Sequence, residues 1–241
     1  MGGAGRRCST TDSSRSSRRT RCSRSPGSTF PSLARTALAE ALVKSAPPNL
    51  AKVVYGSGGG EAIDIALKTA RHATARRKIV SIVKAYHGHT GLAVGAGDDR
   101  FSKLFLSDRP EEFQHVPFND LDAMEEALRG RDVAAVIMET IPATYGFPLP
   151  APGYLEAVKR FCEQHGTLYI ADEVQTGLMR TGELWAITKH GIEPDIMVIG
   201  KGISGGMYPI SAVLVAESAA GWLTEDGSAT SRRSAARSWA A

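Results

Sequence analysis

From Phe30 onward the chain alternates short apolar runs with longer stretches of helical period. KVVY at 52–55, KIVSIV at 78–83, VAAVIM at 133–138, LYIA at 168–171, a run from Asp195 through MVI at 197–199 and another opening at Ser211 read as strands. Most show no polar alternation, as expected where a sheet is covered on both faces. Between them lie the helical patterns. Leu33, Leu38, Leu42 and Val43 recur at helical spacing until Pro47-Pro48 stops the segment. After GSGGG at 56–60, the residues Ala62, Ile65, Ala66, Thr69 and Ala70 are expected to line one helix face. Asp120 to Leu128 and Tyr154 to His165 complete the set, the latter with Leu155, Val158, Phe161 and Cys162 inward. Strands alternating with helices predict an α/β fold around a mostly parallel sheet, without internal repeats.

Composition refines that picture. With 241 residues, 42% of them hydrophobic, the chain suffices for one sizeable core. No run of about 18 apolar residues exists, so no membrane span is expected. The net charge of +4 is unevenly placed. Residues 1–29 carry seven Arg, eight Ser and a single Asp, and residues 229–241 carry three Arg and no acid. The stretch 30–228 is therefore acidic, with a net charge of −5, which argues against a nucleic-acid partner. Three Cys offer neither a disulfide framework nor metal-ligand spacing, so no metal site is expected and a reducing, cytoplasmic setting is. The expected organisation is an Arg/Ser-rich disordered segment at 1–29, a globular domain at 30–228 and an irregular tail at 229–241.

The chemistry gathers at strand ends. The run at 168–171 delivers Asp172, the run at 197–199 delivers Lys201 after Gly200, and the run at 133–138 delivers Glu139. In an open parallel sheet the carboxyl ends of the strands face one crevice, so Asp172 and Lys201 are expected to share a pocket. An acid beside a lysine there suggests pyridoxal phosphate, whose aldehyde a lysine holds and whose pyridine nitrogen a carboxylate faces. GSGGG between a strand and a helix start is a candidate anion site, with a plain turn as the alternative. A dinucleotide loop fits poorly, because G-x-G-x-x-G from Gly56 would need glycine where Glu61 stands. Tyr86, within AYHGHTG, is either a platform for a planar ring or a core aromatic.

Four blocks in order, SGGGEAIDIALKTAR at 57–71, AYHGHTGLAVGAG at 85–97, IADEVQTGLMRTGELW at 170–185 and PDIMVIGKGISGGMYPISAV at 194–213, resemble the class III aminotransferases of fold type I. This is the group of acetylornithine, ornithine and 4-aminobutyrate aminotransferases. The resemblance implies pyridoxal 5'-phosphate as cofactor, Lys201 as its Schiff-base and proton-shuttling lysine, and Asp172 as partner of the pyridine nitrogen. It further implies Val174 and Tyr86 on the two ring faces, Gln175 at the phenolic oxygen, and the amides of Gly59 and Gly60 at the phosphate. Many relatives carry a hydroxyl residue in that glycine turn, so one side-chain contact is expected to be absent. Glu139 matches an acid at the substrate end. Glu173 and Arg180 are expected to be structural, and His87 and His89 receive no role.

The implied reaction passes an amino group from an amino acid or ω-amine to a 2-oxo acid such as 2-oxoglutarate, in a homodimer. Against the family pattern, the chain is expected to lack the C-terminal small domain and a threonine that reaches the neighbouring subunit's cofactor. An inactive remnant that at most binds the cofactor is therefore the competing expectation. The sequence ATSRRSAARSWAA at 229–241 looks foreign to what precedes it, as a shifted reading frame would produce.

Overall fold

A computed structural model describes residues 32–223. The expectations for 1–29 and 229–241 lie outside the described residues. Seven strands form one sheet: β1 (Leu50–Gly56), β2 (Lys78–Ile82), β3 (Phe113–Val116), β4 (Val133–Glu139), β5 (Leu168–Asp172), β6 (Ile196–Ile199) and β7 (Ser211–Ala216). Their spatial order is β1-β7-β6-β5-β4-β2-β3. The five strands from β6 to β3 run parallel, while β7 is antiparallel to both β6 and β1. Two reversals restore direction, so the carboxyl end of β1 lies on the same sheet edge as that of β6.

Six α-helices accompany the strands among the described residues: α1 (Leu33–Ser45), α2 (Gly59–Thr74), α3 (Ala93–Ala96), α4 (Asp99–Leu104), α5 (Leu121–Leu128) and α6 (Tyr154–His165). Two apolar clusters, one on each sheet face, make the layers. One joins Leu42 of α1, Met124 of α5 and Val158 of α6 to Val80, Val136 and Met197 of the sheet. The other joins Ile63, Ala66 and Leu67 of α2 to Ile79, Ile137, Ile170 and Val213. Strands β4, β6 and β7 are buried along their whole length, which explains why their sequences show no alternation.

Two helical faces differ from the sequence expectation. On α2 the buried set is Ala62, Ile63, Ala66, Leu67, Thr69 and Ala70, with Ile65 only partly covered, because the helix crosses several strands and buries a wide stripe. On α1, Leu33 is 92% exposed and the buried residues are Ala39 and Leu42.

Caps explain the boundaries. Asp120 caps α5 by accepting from Ala123 N at 2.9 Å, and Gly166 ends α6 with a left-handed φ of +63°. At the edge where β4 and β5 begin, Arg76 Nη1 donates to the carbonyls of Val133, His165 and Gly166 at 3.1, 3.0 and 2.7 Å. That contact fixes the strands' starts relative to one another. At their far ends, Glu139 and Asp172 stand opposite each other in register.

Candidate active site

The carboxyl edge of the sheet opens into a cavity of about 260 Å³. Its lining brings together all eight residues singled out from the sequence: Gly59, Gly60, Tyr86, Glu139, Asp172, Val174, Gln175 and Lys201. His87, Gly88 and Ala143 complete it. The sheet order explains the assembly, since β1, β2, β4, β5 and β6 all deliver their C-terminal ends to this edge.

Asp172 is the fixed point. It is 3% exposed at the end of β5, with Oδ1 accepting from Val174 N at 3.0 Å. Its Oδ2 lies 2.7 Å from His87 Nδ1, whose ring is fully buried. A carboxylate can only accept, so Nδ1 carries the donated proton, and Nε2 faces Ser81 Oγ at 3.3 Å. His87 is the residue that sequence reasoning missed. Its only signal was a place beside Tyr86 after a strand, with nothing to indicate which way the imidazole turned.

Glu139, 2% exposed, accepts from Tyr86 N at 3.0 Å through Oε1 and from Ala143 N at 3.1 Å through Oε2. Burial pushes its pKa above the ordinary carboxylate value, with the negative charge of nearby Asp172 adding to the rise. Glu139 thereby fastens the chain on which the half-exposed Tyr86 ring is carried. Tyr86, His89, Phe101 and Phe105 form a ring cluster at the mouth, with His89 and Phe101 centroids 4.6 Å apart.

The adjacent acid, Glu173, points to the other side of the strand end and is 1% exposed. It accepts from Thr140 Oγ1, Thr176 Oγ1, Ala186 N and Ile187 N at 2.8 to 3.0 Å. Burial raises its pKa as well. This is an internal clasp between loops, in keeping with a structural role. Arg180 is exposed.

Lys201 follows Gly200 on a 3-10 turn, is exposed, and has φ +37°, a left-handed value costly for a side chain bearing a Cβ. Val174 packs against Gly200, which precedes Lys201, and against Gly59 at the start of α2. A Cβ on Gly200 would lie 3.1 Å from Val174 Cγ1, and one on Gly59 would lie 3.2 Å from the same atom. Glycine at both positions lets the two backbones approach that side chain. At α2, the N–H groups of Gly59 and Gly60 and the positive end of the helix are suited to an anion.

The residues at this edge fit pyridoxal phosphate on their own chemistry. A glycine-lined helix start suits the phosphate, Tyr86 presents a ring face, buried Asp172 suits a pyridine nitrogen, and Lys201 supplies a primary amine. A model of the family described as aminotransferase class-III matches residues 23–231. The chain belongs to the class III aminotransferases. Class III aminotransferases are pyridoxal-phosphate-dependent enzymes of fold type I. Among curated relatives, an uncharacterised aminotransferase of Archaeoglobus fulgidus is 47% identical over 192 residues, covering 80% of this chain and 45% of that protein. Among solved structures, the ornithine aminotransferase of Toxoplasma gondii superposes with a TM-score of 0.77 at 29% identity, covering 84% of this chain and 50% of the other. The taurine:2-oxoglutarate aminotransferase of Bifidobacterium kashiwanohense, solved with PLP and glutamate, gives 0.76 at 30% identity, covering 82% and 50%. The class III aminotransferase chain described here thus spans about half the length of the relatives it matches.

Proposed function

We propose that this chain carries the cofactor site of an aminotransferase that moves an amino group from an amino acid or ω-amine to a 2-oxo acid such as 2-oxoglutarate. The observation that supports this most is the convergence of Lys201, Asp172 and the start of α2 on one cavity. Bound pyridoxal phosphate would supply an aldehyde that takes up the amino group and a ring that accepts the electron pair left on the substrate carbon.

The remaining chemistry falls to the protein. Lys201 would hold the aldehyde carbon through Nζ and, once displaced from it by the amino donor, would carry a proton to and from the substrate carbon. Asp172 would face the pyridine nitrogen, and its contacts with His87 Nδ1 and Val174 N keep the carboxylate from turning away. Tyr86 and Val174 would bracket the ring, Gln175 would reach the phenolic oxygen, and the amides of Gly59 and Gly60 would bind the phosphate. Glu139 sits toward the substrate and positions Tyr86 through its amide.

A homodimer fits the large apolar side chains left exposed, among them Leu106, Met207 and Tyr208. No described helix is long and apolar enough to cross a membrane. Cys162 is buried with a free thiol, and burial pushes its pKa up, which makes it an inert core residue.

The test is to add pyridoxal phosphate to the purified chain, reduce with borohydride and map the labelled residue by mass spectrometry. Labelling at Lys201 that is lost in Lys201→Ala supports the reading. Labelling scattered over surface lysines would overturn it.

A further inference from the structure

The start of α2 is built from close approaches that only glycine permits. Gly88 has φ +103°, and a Cβ there would lie 2.8 Å from Gly60 Cα. A Cβ on Gly60 would in turn lie 2.8 Å from Thr90 Oγ1 and 3.3 Å from Thr90 Cγ2. The Thr90 side chain therefore stands where a side chain on residue 60 would have gone. The helix itself fixes the loop that brings it there. Asp64 Oδ1 accepts from Leu92 N and Ala93 N, both at 2.8 Å, and Thr90 O accepts from Val94 N at 3.0 Å.

The other hydroxyls near this turn are committed. Ser57 Oγ donates to Glu61 Oε2, and Ser211 Oγ donates to the Gly58 carbonyl at 2.9 Å. Thr90 is exposed, stands against Gly60 of the cavity lining without itself lining the cavity, and its hydroxyl makes no hydrogen bond among the described residues.

We infer that Thr90 supplies the side-chain hydroxyl of the phosphate site, in the space that Gly60 leaves open. The inference rests on the reading that this cavity takes pyridoxal phosphate. A phosphate ester presents three strong acceptor oxygens, more acceptor capacity than the amides of Gly59 and Gly60 fill. A hydroxyl rotates to suit its acceptor, and an O–H to a charged oxygen is stronger than a neutral pair. The hydroxyl contact expected to be missing from the glycine turn is thus restored from the loop after β2. Residues 60 and 90 form an exchangeable pair: a side chain at one occupies the room of the other.

The test uses the full 241-residue chain as wild type, Thr90→Val, Thr90→Ser and the double exchange Gly60→Thr with Thr90→Ala. Each is titrated with pyridoxal phosphate and, separately, with pyridoxal, which lacks the phosphate, following absorbance and tryptophan fluorescence. Thr90→Val is expected to weaken pyridoxal phosphate about tenfold and to leave pyridoxal within about twofold. Thr90→Ser is expected to bind as wild type does, and the exchange to recover most of the loss. Equal affinity of wild type and Thr90→Val for pyridoxal phosphate would overturn the inference alone. Equal losses for both ligands would also overturn it, because the effect then lies in the ring pocket. No saturable binding of pyridoxal phosphate by wild type would overturn it together with the reading on which it rests.

Discussion

His87 Nδ1 and Asp172 Oδ2 meet at 2.7 Å although 85 positions separate them in the chain. The contact ties the loop after β2 to the end of β5, and both side chains are buried. His87→Leu would leave Asp172 Oδ2 without its donor, Val174 N remaining on Oδ1 alone. The expected result is a loss of about 1–3 kcal/mol in urea unfolding, because a buried acceptor left unpaired keeps its desolvation penalty. Weaker binding of pyridoxal phosphate is expected with it, since Asp172 regains freedom to turn. His87→Asn, which retains a donor, is expected to lose less of both.

Lys201 sits at φ +37°. Its backbone is strained for any residue with a Cβ, and glycine relieves that strain. Lys201→Gly is therefore expected to raise unfolding free energy by about 1 kcal/mol, net of the extra freedom glycine gives the unfolded chain. Lys201→Ala, which keeps the Cβ, is expected to give no such gain. Both variants should lose borohydride labelling. A paired urea titration separates the backbone from the amine.

Two glycines distinguish the cavity from the core. A Cβ at Gly95 would lie 2.5 Å from Phe113 Cε2, where α3 packs on β3, outside the cavity lining. A Cβ at Gly88 would press on the Gly60 backbone and require a side chain at φ +103°. Both alanine variants are expected to cost about 1–3 kcal/mol in unfolding experiments. Only Gly88→Ala is expected to weaken pyridoxal phosphate binding, because it alone displaces the start of α2.

Burial holds the Glu139 pKa above the ordinary 4.5. The folded chain thus keeps a proton that the unfolded chain releases. The stability from this group is full below about pH 4.5 and is lost as pH rises through the folded value. Glu173, raised by burial too, has the same sign. Glu139→Gln is expected to flatten the fall in melting temperature from pH 4.5 upward, with part of the slope remaining from Glu173. Melting curves across that range would show it.

Much of this was legible before the structure, for identifiable reasons. The helix α6 was readable to its ends because its apolar period is clean and Gly166 stops it. The cavity residues were readable because strand ends carry them and the family resemblance named them. The strand β3 was not, because four residues at a sheet edge with only Phe113 and Val116 buried make too short a pattern. Helices α3 and α4 were also missed, at four and six residues each. The error on α2 came from weighing Ile65 over Ile63, a choice set by which strands the helix crosses and therefore by tertiary contacts. His87 lay beyond reach for the same reason. A polar contact across 85 positions leaves no periodic trace.

Asp172 and Glu173 are neighbours of nearly identical chemistry, yet one serves the cavity and the other an internal clasp. What assigns their duties is parity, since alternate residues of an extended chain turn to opposite sides. Loss of one residue within β5 would carry Glu173 into the place of Asp172 and Val174 into the place of Glu173. It would put the longer carboxylate at the cavity and leave the four donors of the clasp without an acid. This stretch should therefore tolerate conservative substitution far better than any change of length. A library of single-residue deletions across 168–173 would be expected to contain almost no cofactor-binding survivors.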